Sequence, residues 1–141
     1  MADTFQLEVA TPERLFVDEQ VSEAELPGKE GYMGILPGHA PLLSILGAGV
    51  LTYKAGGGEQ VLALDGGFVE VFEDHVRELA EHAEFGSDIQ ADSARRQLEK
   101  ANEALRNARE TGDSEAALRA IGKAQARLDA AERSRGSSAP S

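Results

Sequence analysis

The sequence predicts an N-terminal antiparallel β-sandwich or flattened barrel over residues 1–86, followed by a C-terminal antiparallel α-helical hairpin over 87–135. Three observations predict it. Short apolar-alternating runs broken by turn signals fill the first stretch. After Phe85-Gly86 the hydrophobic period changes to a 4-3-4-3 spacing. The charge changes at the same place: residues 1–86 hold 16 acidic and 4 basic side chains, residues 87–141 hold 9 and 10, within a formal net charge of −11.

Taken in order, Phe5-Gln6-Leu7-Glu8-Val9 alternates apolar and polar residues, the mark of a half-buried strand, and Thr11-Pro12 closes it. Leu15-Phe16-Val17 opens a second apolar segment, and Val21 to Leu26 reads as a strand ended by Pro27-Gly28. Gly49 to Lys54 and Gln60 to Leu64 flank Gly56-Gly57-Gly58 as a hairpin. Gly66-Gly67 leads into Phe68 to Phe72, and Glu73-Asp74 turns tightly into Val76 to Ala83. The expected core is Phe5, Leu7, Phe16, Leu51, Leu62, Leu64, Phe68 and Phe72.

In the second part, Ser87 and Gln90 form a capping-box pattern that predicts a helix start. Ala94, Leu98, Ala101, Leu105 and Ala108 then make one seam. Thr111-Gly112-Asp113-Ser114 interrupts, with Gly112 as the C′ residue and Asp113 or Ser114 as the next N-cap. Ala117, Ile121, Ala124, Leu128 and Ala131 repeat the seam. Alanine-rich seams let two helices approach closely while burying little area, so the hairpin is expected to be weakly held and able to open. Residues 136–141 read as a disordered tail.

Several classes of chemistry are excluded. An acidic first part argues against nucleic acid, which needs a basic face. With no cysteine there is no disulfide, Cys-bound zinc or thiol nucleophile. The glycine clusters are not followed by Lys-Ser/Thr, so no P-loop is present. His75 and His82 are seven apart and would face opposite ways in one regular strand, with His39 distant, so no metal site is expected. Ser22 and Ser44 lack a nucleophile-elbow context. No catalytic residue, and hence no enzyme, is expected in the isolated chain. Met1 to Phe5 lacks the basic start and apolar core of a signal peptide. The uncharged run Gly31 to Tyr53 is too rich in Pro and Gly for a membrane span, so the chain reads as soluble.

One stretch is unusual. Gly31-Tyr32-Met33-Gly34-Ile35-Leu36-Pro37-Gly38-His39-Ala40-Pro41-Leu42-Leu43 carries no charge, and its prolines and glycines make it a stiff loop presenting one polar ring, His39. His39 can serve a partner or hydrogen-bond within its own turn; both readings stand.

That Gly-x-x-Gly-x-x-Pro-Gly-His-Ala-Pro-Leu-Leu pattern, with Gly66 to Val71 and Val76 to Glu84 in order behind it, resembles the epsilon subunits of rotary, F-type proton-translocating ATP synthases. The resemblance covers about residues 3–134. It implies a non-catalytic central-stalk rotor subunit that couples proton flow to ATP synthesis. It places the sandwich against the gamma subunit and the membrane ring of c subunits, peripheral to the cytoplasmic face of a bacterial membrane. Tyr32, Gly38, His39, Ala40, Pro41 and Leu42 are the implied contacts. It gives the hairpin a basic face, Arg95, Arg96, Lys100, Arg106, Arg109, Arg119, Lys123 and Arg127, that meets the catalytic beta (and alpha) subunits and blocks ATP hydrolysis. Pairs such as Asp92/Arg96 and Arg106/Glu110 are the plainer use of those charges. Some members bind ATP through Ile/Leu-Asp-x-x-Arg-Ala. Here Gln90 and Ser93 replace the acid and the arginine, so no cofactor is expected; Asp92 and Arg95 are the nearest candidates. The alternatives are an ATP-sensing module whose hairpin nucleotide clamps shut, and a free-standing adaptor with a helical arm.

Overall fold

The computed structural model describes residues 3–137. Eight strands form one strongly bent sheet: β1 (Phe5–Ala10), β2 (Leu15–Val21), β3 (Glu23–Gly28), β4 (Gly31–Ile35), β5 (Leu42–Ile45), β6 (Gly49–Ala55), β7 (Gly58–Phe72) and β8 (His75–Phe85). A 3₁₀ turn at Gly86–Asp88 leads to α1 (Ala91–Thr111) and α2 (Ser114–Ser137). The strand order is β2-β1-β8-β7-β6-β3-β4, with β5 on β7. The expected sandwich and hairpin are both present. One pair departs from the antiparallel rule: β1 runs parallel to β8, Val9 opposite Glu78.

β7 makes the sheet into two layers. Its first half pairs with β6 and its second half with β5, while β8 runs along its other side from Leu62 to Phe72. Leu62 and Leu64 face the core before the bend, Val69 and Val71 after it, so the inward parity changes within one strand. The change falls at Gly66 and Gly67, with φ of 72° and 103°. A Cβ on Gly67 would sit 2.0 Å from the Leu79 carbonyl oxygen, so only glycine lets the strands cross this closely. This overturns one core assignment: Phe68, placed inward by simple alternation, is 43% exposed because it follows the parity change. Phe16 and Phe72 are half-buried rather than central. Phe5, Leu7, Leu51, Leu62 and Leu64 are buried as expected.

Other boundaries shift for local reasons. β2 and β3 divide at Ser22, Pro27-Gly28 stays inside β3, and the uncharged stretch is mostly strand. Its Gly31–Ile35 pairs with β3 and its Leu42–Ile45 with β7, leaving 36–41 as loop. Glu73 and Asp74 make a two-residue turn with both φ positive, 44° and 59°, as tight hairpin turns require.

The first helix starts at Ala91, not at Ser87, because Ile89 is held extended (φ −92°, ψ 130°) and buried under the hairpin. Its N-cap is Gln90, whose side chain makes no cap bond. Gly112 ends the helix in left-handed geometry, its N–H donating to the Ala108 carbonyl at 2.8 Å. α2 runs on to Ser137, into the stretch read as a tail; residues 138–141 lie outside the described residues.

The seams meet as the spacing requires: Ala94, Ala101 and Ala108 are buried, as are Ala117, Ala124, Leu128 and Ala131. A second stripe was not anticipated. Ala126 and Ala130 are also buried, in a second cluster that joins Val50, Val61, Ala63 and Ile89 to the seam residues Ala94, Leu128 and Ala131. α2 thus lies on the outer face of β6 and β7. Gly122 is one turn before Ala126 on that stripe, and its Cα would carry a Cβ only 3.5 Å from that of Ala48.

Candidate partner-binding site

Two surfaces gather the residues singled out in the sequence. The first is the end of the sandwich where loop 36–41 meets the β7–β8 turn. Gly38 N–H donates to Asp74 Oδ1 at 2.7 Å, which ties loop to turn. His39 N–H donates to the Leu36 carbonyl (3.2 Å), and His39 Nδ1 lies 2.7 Å from the Ala40 carbonyl oxygen. Its ring is therefore engaged in its own turn, the plainer of the two readings. Pro41 and Leu42 line a shallow concavity with Leu43, Val71 and Phe72, and the Phe72 ring stacks on His75 with centroids 5.0 Å apart. Ala40 is exposed.

Tyr32 lies elsewhere, on β4. It is half-exposed, and its hydroxyl accepts a hydrogen bond from Val50 N–H at 3.0 Å, so it braces β6 as well as presenting a face. The structure does not bring it into the loop end with His39.

Beside the loop end, an apolar row runs across the outer face. Strand register places Ile45 opposite Phe68, Phe68 opposite Leu79, Leu79 opposite Ala10, and Ala10 opposite Leu15. Ile45 (58%), Phe68 (43%), Leu79 (38%) and Leu15 (53%) are exposed, and Leu43 (70%) adjoins them. Single exposed apolar residues mean little; a row across five strands is a continuous apolar patch of the kind that marks interaction surfaces. The neighbouring row is charged: Glu70, Arg77, Glu8 and Asp18 follow one another, with Arg77 Nε donating to Glu8 Oε2 at 3.3 Å and His75 Nε2 2.9 Å from Glu8 Oε1. Sequence reasoning missed the apolar row because it assigned Phe68 to the core. The double glycine was the available signal.

The second surface is the hairpin. Arg95, Arg96, Lys100, Arg106, Arg109 and Arg119 are exposed, while Lys123 and Arg127 are half-buried against the sandwich. Arg127 makes a fork: Nε and Nη2 donate to the two oxygens of Glu84 (2.9 and 3.2 Å), and Nη1 donates to Gln97 Oε1 (2.6 Å). One side chain thus joins β8, α1 and α2, and a planar bidentate pair of this kind is among the stronger surface contacts. Asp92 pairs with Arg95 at 2.8 Å rather than with Arg96. At the base of the arm Gly86 touches α2 directly: a Cβ there would sit 2.1 Å from Ser134 Oγ and 2.5 Å from the Ala130 carbonyl oxygen.

Among the described residues no group of three or more His, Cys, Asp or Glu side chains is arranged to hold a metal, and no helix is long and apolar enough to cross a membrane.

The chain is thus a sandwich with an exposed apolar row, joined to a small-residue helical arm. Comparison with known proteins gives the class: residues 4–86 match the family described as ATP synthase, Delta/Epsilon chain, beta-sandwich domain. A relative from Solibacter usitatus named ATP synthase epsilon chain is 48% identical over 133 residues, 94% of this chain and 99% of that one. Another of that name, from Nitratidesulfovibrio vulgaris (strain DP4), is 41% identical over 91% of this chain and 96% of its own. The fold matches a chain in the cryo-EM structure of the Euglena gracilis mitochondrial ATP synthase, OSCP/F1/c-ring in rotational state 1, with a TM-score of 0.81 at 22% identity over 94% of this chain and 83% of that one. The chain belongs to the ATP synthase epsilon chain family.

Proposed function

We propose that the chain is a non-catalytic central-stalk subunit that couples proton flow to ATP synthesis, with its sandwich seated on the gamma subunit and the ring of c subunits. The observation that carries this is the apolar row Ile45–Phe68–Leu79–Ala10–Leu15, a ready-made contact face next to the tied loop at 36–41. The hairpin is the movable arm, its released form presenting Arg127 and Lys123 with the exposed basic residues to the beta and alpha subunits and restraining ATP hydrolysis. The closed form is held by small apolar contacts and the Arg127 fork, a balance that differential partner contacts can reverse. The chain works at the cytoplasmic face of the membrane, held there through its partners. ATP is not part of this reading, since Gln90 and Ser93 stand where the ATP-binding pattern has an acid and an arginine.

The test uses the assembled enzyme with an Ala48→Cys/Gly122→Cys chain. The two Cβ positions are 3.5 Å apart, within disulfide reach, and the chain has no other cysteine. Oxidation should lock the arm down and raise ATP hydrolysis, and reduction should restore the restraint. Unchanged hydrolysis with the disulfide formed removes the inhibitory role from the hairpin.

A further inference from the structure

The sandwich contains one side chain that neither the contact face nor the arm uses. Glu78, in the first half of β8, is fully buried, and neither carboxyl oxygen has a hydrogen-bond partner. It stands between Val9 of β1 and Val69 of β7 in register, with Val76 and Ala80 on its own strand pointing the same way. The core it enters is otherwise aliphatic and aromatic, and its titratable member is Tyr53 of β6. Burial, with Glu19 nearby, pushes the Tyr53 phenol up to about 12, so it stays neutral and brings no charge to bear on Glu78. Glu19 of β2 shares inward parity with Val17 and Val21 but is exposed. The charges on the strands beside Glu78, Glu8 on β1, Glu70 on β7 and Arg77 on β8, occupy the opposite parity with the outer charged row. No cation faces the carboxyl among the described residues. An ionised carboxylate in such a place is far costlier than a neutral acid.

We propose that Glu78 is a neutral carboxylic acid in the folded sandwich, and that loss of its proton to solvent at alkaline pH loosens the seam between β1 and β8. Burial alone pushes this carboxyl up to about 8. β1 and β2 are the end pair of the sheet, and β1 is held to β8 by a short parallel register, Gln6 to Ala10. Parallel pairing is slightly weaker per residue than antiparallel, so a carboxylate seeking water escapes most cheaply by opening this seam. The seam also carries the apolar row: Leu79 is on β8, Ala10 and Leu15 on the pair that would leave. Alkalinisation therefore breaks the contact face in two. That last consequence rests on the reading of the row as a contact face; the chemistry of the buried acid does not.

The direction follows from linkage. Between an ordinary carboxyl value of 4.5 and about 8, the folded chain keeps a proton that the unfolded chain has released. Stability from this group is therefore highest below 4.5, falls as pH rises through that window, and is level above it. The unfolding constant should rise by close to tenfold per pH unit in the window, relative to a Glu78→Gln chain, which lacks the ionisation.

The experiment is a carboxyl-carbon NMR titration of the full-length wild-type chain, with hydrogen exchange at pH 7 and 9. We expect one glutamate carboxyl still protonated at pH 7. We also expect protection in residues 5–21 to fall more than in 49–64 on going to pH 9, after correction for intrinsic exchange, a difference that Glu78→Gln abolishes. All glutamates titrating below pH 6 would overturn the proposal without any variant. So would equal losses of protection in the two segments. Retention of the partner complex at pH 9 despite a loosened seam would instead count against the contact-face reading alone.

Discussion

Gly86 packs directly against α2, and replacing it with alanine gives a worked prediction. The added Cβ would lie 2.1 Å from Ser134 Oγ and 2.5 Å from the Ala130 carbonyl oxygen. Ser134 can rotate; the Ala130 carbonyl is backbone, so α2 must retreat by roughly 1 Å to reach ordinary contact. The seat it leaves consists of the methyls of Val50, Val61, Ala63, Ala126 and Ala130. At about 0.8 kcal/mol per buried carbon those seven methyls are worth roughly 6 kcal/mol. A gap of this size forfeits a quarter to a half of contact energy, about 1.5–3 kcal/mol, which shifts the closed–open balance roughly tenfold to 150-fold. Ala63→Cys supplies the assay, because residue 63 is buried under α2 and the chain has no native thiol. With fast opening and closing, its labelling rate is proportional to the opening constant. Labelling should rise by the factor above in Gly86→Ala while the unfolding midpoint of the sandwich holds. Labelling within about threefold of the parent, in a folded variant, would refute close docking at Gly86.

Further outcomes follow from the same geometry. Gly67→Ala must place a methyl on the Leu79 carbonyl at a φ of 103°, and should cost about 3 kcal/mol or more in urea unfolding. Arg127→Met keeps the apolar stem and loses the fork to Glu84 and Gln97. Thiol labelling at position 63 should increase about tenfold, with most of the effect gone in a Glu84→Gln background, as a double-mutant cycle would show. Phe68→Ser removes an exposed ring from the apolar row. The isolated chain should lose about 1–2 kcal/mol of stability and stay folded, but co-purification with the ATP synthase complex should fail. Glu78→Met should stabilise the chain by about 3 kcal/mol at pH 7, the cost of withholding ionisation from a group moved from 4.5 to about 8, and by progressively less towards pH 4.5.

Much of the fold is legible in local signals, because period, turn residues and caps act over a few residues. Gly112 ends its helix by taking the left-handed geometry that closes the last turn, and the alanine spacing brings the two seams face to face. What escaped local reading depends on what a residue meets across the molecule. Phe68 looks like core until the crossing at Gly66-Gly67 reverses parity. Ile89 delays the first helix because α2 covers it. The Gly122–Ala126–Ala130 stripe looks like more of the seam until a second surface is there to receive it. Glu78 reads as one more member of an acidic domain and sits in its interior. At the candidate site, the motif at 31–43 reads as one stiff loop, whereas its two ends are strands and only 36–41 is loop. Its tie to Asp74, and the engagement of His39 within its own turn, are distances no spacing contains.

β7 has a mechanical consequence. It is one unbroken strand whose far end, at Phe72, adjoins the loop that faces outward, and whose near half, at Val61 and Ala63, forms the floor beneath α2. Hydrogen bonds on both flanks make it behave as a beam of up to roughly 35 Å between those points. A load applied at one end is delivered to the seat of the arm through backbone rather than through side chains. Its one joint is the double glycine, which is itself jammed against Leu79. If the loop end is loaded as the proposed function has it, the same strand carries that load to the floor beneath the hairpin.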